Sequence, residues 1–136
     1  MKKYTFRFNK LVRDKIEQKL QDSDIEVKVT QLNTLQDTIH FFKAKLGEEA
    51  GEVADATTVE EIVKELTDCL EVIHSFIAHL KVPARSLEHI RLDKLESDGG
   101  FQEGTVIDTI TMTAGNSALD YYLQNPAKYP QVNTDS

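Results

Sequence analysis

A chain of 136 residues with 40% apolar and 29% charged side chains has the size and balance of one ordinary globular domain. Its formal net charge of −7 argues against a nonspecific grip on nucleic acid or on an anionic membrane. A single cysteine, Cys69, excludes an internal disulfide, and no signal peptide or membrane-length apolar run is present. The expectation is a cytoplasmic protein with neither a nucleic-acid nor a membrane partner.

Residues 1–8, MKKYTFRF, alternate enough to suggest an extended arm or short strand. In NKLVRDKIEQKLQ, Asn9 offers a cap, and Leu11, Val12, Ile16 and Leu20 one face of a short helix. Lys10, Arg13 and Lys15 make this segment locally basic. Two readings stand side by side: a solvated face paired with Asp14 and Glu17, or bases that reach phosphate oxygens, where arginine binds bidentately. Residues 25–30, IEVKVT, alternate with period two and read as a short strand.

Asn33 or Thr34 is the expected cap of a long helix from about Leu35 to Thr57. Gly47 and Gly51 inside it, flanked by Ala44, Ala50 and Ala54, suggest close approach by another backbone or by a ligand. Thr58 and Glu61 have the spacing of a capping box, opening a second helix to about Leu80. Its apolar face, from Val59 through Leu66 and Leu70 to Ile77, is broad enough for a bundle core or a subunit interface. Cys69 within it reads as a buried thiol, and His40, His74 and His79 as ordinary surface or interface residues. Pro83 ends this helix. A third helix spans about Ser86 to Glu96 and stops at Gly99-Gly100. Residues 97–104, SDGGFQEG, form a loop by composition, 105–111 a strand-like run, and 116–123 a last helical piece. The tail from about 125 is expected to be loose.

The chemistry concentrates between Lys43 and Asp68. Glu49 and Glu52 are three apart, as are Glu65 and Asp68, and Glu48 lies four before Glu52. These spacings place each set on one helix face, bordering the apolar stripe. If the two helices pack antiparallel, the acidic sets face each other. Converging carboxylates repel unless they share a proton or hold a cation, and a hard divalent cation such as Mg²⁺ suits oxygen ligands. The alternative is that glutamate, a good helix former, simply lines wet surfaces.

The runs KLVRDKI (10–16), KLGEEAGEVADA (45–56) and KELTDCLEVI (64–73), with GGF at 99–101, resemble the MazG-like all-α nucleoside triphosphate pyrophosphohydrolases. They look most like the small branch related to phosphoribosyl-ATP pyrophosphohydrolase, over residues 9–104 of a single domain spanning 1–136. The resemblance implies a mainly α helical bundle completed by oligomerisation, here with short peripheral β-like segments. It implies Mg²⁺, with Mn²⁺ as a substitute, held by Glu49, Glu52, Glu65 and Asp68. Glu48 and Glu49 become the catalytic candidates, Glu48 as helper or positioner of the attacking water. Lys10, Arg13, Lys15, Lys45 and Lys94 become the substrate-binding candidates. The implied reaction splits a nucleoside triphosphate between the α- and β-phosphates in a homodimer or homotetramer, and nucleotide-pool house-cleaning is the role it implies. Where that family often has a base before GGF, this chain has Asp98, with Lys94 and Arg91 one and two turns back. Phosphoribosyl-ATP pyrophosphohydrolase itself and a non-catalytic nucleotide-binding or helical assembly protein are the alternatives.

Overall fold

The computed structural model describes residues 1–132. Its regular structure is five helices: α1 (Ile16–Asp22), α2 (Leu35–Asp55), α3 (Val59–His79), α4 (Ala84–Asp98) and α5 (Leu119–Leu123). The chain divides into two compact units, Met1–Ser97 and the part from Asp98 onward. The end of the tail expected to be loose, residues 133–136, lies outside the described residues. No helix of the described residues is long and apolar enough to cross a membrane.

The first unit is built on an α2–α3 hairpin. Both helices begin at a threonine with extended backbone and a capping side chain. Thr34 Oγ1 accepts from the Asp37 amide at 3.1 Å, and Thr58 Oγ1 from the Glu61 amide at 3.1 Å. The return arm of the expected capping box is displaced by one residue, since Glu61 Oε2 accepts from the amide of Thr57 rather than of Thr58, at 3.1 Å. A cap of this kind contributes roughly 1 kcal/mol. Near the start of α2, Phe42 stacks on Phe76 with ring centroids 5.1 Å apart and lies 4.9 Å from His79, both near the end of α3. Further along α2, Glu49 and Glu52 approach Glu65 and Asp68, nearer the start of α3. Rising numbers on one helix meet falling numbers on the other, so the pair is antiparallel.

Burial is concentrated on this one seam. Phe42, at 3% exposure, is the buried apolar residue of the described chain, and Thr38 and Glu49 are buried beside it on α2. The seam side of α3 is half-buried at Ile62, Glu65, Cys69, Val72 and Phe76. One position on, about 100° round the helix, Val59, Val63, Leu66, Leu70 and Ile73 are exposed.

Three expectations are corrected. The strand-like segments at 1–8, 25–30 and 105–111 form no strand, and the described residues are all-α in their regular structure. Alternation makes a strand only when a partner accepts its backbone hydrogen bonds. The arm meets segment 25–30 through a side-chain ion pair, Lys3 Nζ to Glu26 Oε1 at 2.8 Å, with both groups largely exposed. The first helix begins at Ile16 rather than after Asn9, which has a positive φ of 48°. The intervening KLVRDK run is instead tied across the hairpin by its bases, as described below. Finally, a Cβ added to Gly47 or Gly51 would meet nothing within 4 Å, so among the described residues no backbone makes the close approach that one reading of the glycines suggested, and the ligand reading is untouched by this.

In the second unit, Gly99 takes a left-handed φ of 81° directly after α4, a helix stop that a residue with a Cβ adopts poorly. Phe101 of the GGF run is 98% exposed. Tyr121 and Tyr122 of α5 gather with Tyr129, the latter 5.9 and 4.9 Å from them between ring centroids.

Candidate metal centre

The antiparallel seam brings four carboxylates together. One oxygen each from Glu49, Glu52, Glu65 and Asp68 lies within 4.8 Å of the other three. Six oxygens around Mg²⁺ at 2.0–2.1 Å would place opposite ligands about 4.2 Å apart. The four oxygens therefore spread at most slightly wider than a closed coordination sphere and need only small side-chain movements to meet one ion. Their burial is graded, with Glu49 buried, Glu65 and Asp68 half-buried and Glu52 exposed. This cluster could hold a divalent cation. Two oxygens support that fit: Glu49 Oε2 and Glu65 Oε2 are buried and make no hydrogen bond. Buried polar atoms rarely stay unpartnered without a reason.

Cations of the chain surround the cluster. Arg13 Nη2 contacts Asp68 Oδ1 at 2.8 Å. Lys45 Nζ lies 3.4 Å from Glu49 Oε1 and 3.6 Å from Glu48 Oε2. Lys10 Nζ reaches the other Glu48 oxygen at 3.4 Å. The run 9–15 is thus a strap, with Lys10 fixed to α2 and Arg13 to α3. Of the expected site residues, Glu49, Glu52, Glu65 and Asp68 converge, and Lys10, Arg13 and Lys45 border them. Glu48 is beside the cluster, engaged by two lysines. Lys15 caps the start of α1 and lies in no ion pair of the described residues. Lys94 sits on α4, outside the hairpin that carries the cluster.

The division between Glu48 and Glu49 was available in the sequence. Glu49 is seven residues after Phe42, on the same face, whereas Glu48 is turned about 100° away. The contacts of the strap with Glu48 and Asp68 were not readable, because Lys10 and Arg13 meet partners 38 and 55 residues away.

Crowding of like charges appears in the titration of the cluster. Glu52, through a shared hydrogen, pushes the Glu65 carboxyl above its ordinary value of 4.5, aided by desolvation and by the charges of Glu52 and Asp68. Desolvation first, and then Glu49, Asp68 and Glu65, push the Cys69 thiol up. The thiol therefore stays protonated at neutral pH and is a packing group, not a nucleophile.

A pH dependence follows for metal-free protein. A carboxyl whose folded value is raised contributes stability that is present at low pH and lost as pH rises through that value. Unfolding temperature in a chelating buffer is therefore expected to rise as pH falls from 7 toward 4.5. The Glu88 carboxyl, lowered by its bond to Arg91, titrates below 4.5 and does not oppose this change within the window. Saturating Mg²⁺ should raise the unfolding temperature more at pH 7 than near 5. A chelated protein that loses stability across this window would refute the crowded-carboxylate picture.

One shallow concavity of about 520 Å³ runs along α2 at Gln36, Ile39, His40, Lys43 and Ala44, and none of the four carboxylates lines it. The cluster itself opens at the surface through Glu52. No family model, no curated protein and no solved structure matches the chain.

Proposed function

We propose that this protein is a Mg²⁺-dependent hydrolase that cleaves a nucleoside triphosphate between the α- and β-phosphates, releasing a monophosphate and pyrophosphate. The observation that carries the reading is the convergence of four carboxylate oxygens within 4.8 Å, beside a strap carrying Lys10 and Arg13. The resemblance of KLVRDKI, KLGEEAGEVADA and KELTDCLEVI to MazG-like enzymes supports the same reaction class. Glu49, Glu52, Glu65 and Asp68 would hold the cation, Mn²⁺ being a chemically similar substitute. A divalent cation held by these residues would supply the positive charge that offsets the charge developing as the phosphoanhydride breaks.

The chain's own residues supply the rest. The guanidinium of Arg13 and the ammonium groups of Lys10 and Lys15 stand on one run of chain and would grip the leaving phosphates. Glu48, already engaged by Lys10 and Lys45, holds the strap rather than taking a proton. Glu49, with an unpartnered buried oxygen, is the better acceptor for the proton of the attacking water. Nucleotide-pool house-cleaning is the role this chemistry suits, and phosphoribosyl-ATP is a substrate with the same cleavage. A nucleotide-binding assembly protein without turnover is the second reading, favoured by the exposed apolar stripe of α3.

Hydrolysis of a triphosphate with Mg²⁺ in ¹⁸O-water tests the proposal. Pyrophosphate and a labelled monophosphate are expected, since label in the monophosphate reports attack at the α-phosphorus. Label in pyrophosphate would move the attack to the β-phosphorus. Orthophosphate as first product would overturn the pyrophosphohydrolase reading, and binding without turnover would select the assembly protein.

A further inference from the structure

Arg13 and the proposed cation compete for one carboxylate. Asp68 is one of the four convergent residues, and its Oδ1 is 2.8 Å from Arg13 Nη2. The guanidinium is thus a cation of the chain already seated on a member of the cluster, while Oε2 of Glu49, another member, is buried and unpartnered. The neighbouring bases differ. Lys45 is held on α2 three and four residues before its acceptors, with only 18% of its side chain exposed. Lys10 binds Glu48, which is outside the four. Arg13 alone among these three bases both binds a member of the four and belongs to the non-helical strap, with 57% of its side chain exposed. Its release needs a side-chain swing and no loss of helix, and Lys10 can keep the strap anchored meanwhile.

We infer that Arg13 is an exchangeable counter-cation: it occupies Asp68 in metal-free protein, yields it to the divalent cation, and only then becomes available to a phosphate group. The inference rests on the metal reading of the four-carboxylate cluster. It favours one order at the site, cation before phosphate. It also makes the two ligands mutually reinforcing, since a phosphate that engages Arg13 removes the competitor for Asp68 and linkage requires the reverse effect to be equal. Without the cation, Arg13 is partly neutralised and the cluster repels a polyphosphate.

Binding of Mn²⁺ alone, followed by the electron paramagnetic resonance signal of the free ion, tests this without any turnover. R13Q is expected to bind Mn²⁺ about two- to fivefold more tightly than wild type, the scale of a partly exposed ion pair. K10Q removes the same charge from the same strap and should change affinity less than R13Q does. R13K, which keeps a cation but loses the planar fork, should fall between R13Q and wild type, and it carries the test if R13Q fails to keep its helical circular dichroism. Affinity in R13Q equal to or weaker than in a metal-binding wild type overturns the exchange and leaves the metal centre standing. Equal gains in R13Q and K10Q would reduce the effect to net charge and also overturn it. If neither wild type nor R13Q binds Mn²⁺, the metal reading and the exchange fall together.

Discussion

Glu52→Gln is expected to lower turnover by at least about 10², the scale of removing a major electrostatic contribution at a reacting centre. The substitution deletes a charge at nearly constant shape. Glu52 is the exposed member of the four carboxylates and the residue that pushes Glu65 up. Removing its charge should weaken Mg²⁺ binding, let Glu65 ionise more readily, and raise the unfolding temperature of the chelated protein at neutral pH. These opposite signs, weaker function with firmer metal-free folding, distinguish a cation site from a packing site, where both would decline. Glu48→Gln is the comparison. Because Glu48 is engaged by Lys10 and Lys45 and stands outside the four, its loss should cost less than Glu52→Gln. A folded E52Q protein with full activity would sink the assignment of this cluster to catalysis.

How the site assembles explains which parts of it the sequence revealed. The helix caps are local: Thr34 and Thr58 each bond an amide three residues on, so their spacing is enough. The carboxylate pairs are local too, and the apolar period that sets the seam also sets the face on which Glu49 and Glu52 lie. That the two pairs meet needed one additional fact, the antiparallel hairpin, which the short connection between α2 and α3 makes the natural outcome. The strap is not legible for the opposite reason. Leu11, Val12 and Ile16 suggested a helix face, but Lys10 and Arg13 reach across to two different helices, and contacts of that separation leave no periodic trace. Segments 25–30 and 105–111 failed as strands because alternation describes two faces of a backbone and says nothing about a partner for its edges. At Gly47 and Gly51 no described backbone makes the approach, since small residues permit a close approach without supplying the element or ligand that makes it.

Leu70→Glu is expected to reduce the particle mass in solution to that of one chain, 15.4 kDa. The wild type is proposed to be a homo-oligomer, dimer or tetramer. Val59, Val63, Leu66, Leu70 and Ile73 follow one another at steps of four and three along α3, the spacing of a coiled-coil seam, and their exposures run from 39% to 78%. Monomeric proteins rarely leave such a continuous apolar stripe open. Burying the remaining surface of these side chains contributes on the order of 1 kcal/mol each. Two such faces together approach about 10 kcal/mol, which is comparable with the roughly 4–15 kcal/mol cost of association. The α3 stripe alone is therefore marginal, and the exposed Leu87, Ile90, Leu92 and Leu95 of α4 are the nearest source of the surplus. Since Leu70 is already 53% exposed in a single chain, a glutamate there should leave the helical circular dichroism intact. In an oligomer the same glutamate would be forced into an apolar seam, where an unpaired charge is costly. Light scattering at micromolar concentration separates these cases. A wild-type mass of one chain would refute the interface, and a wild-type oligomer that L70E leaves whole would move it off this stripe of α3.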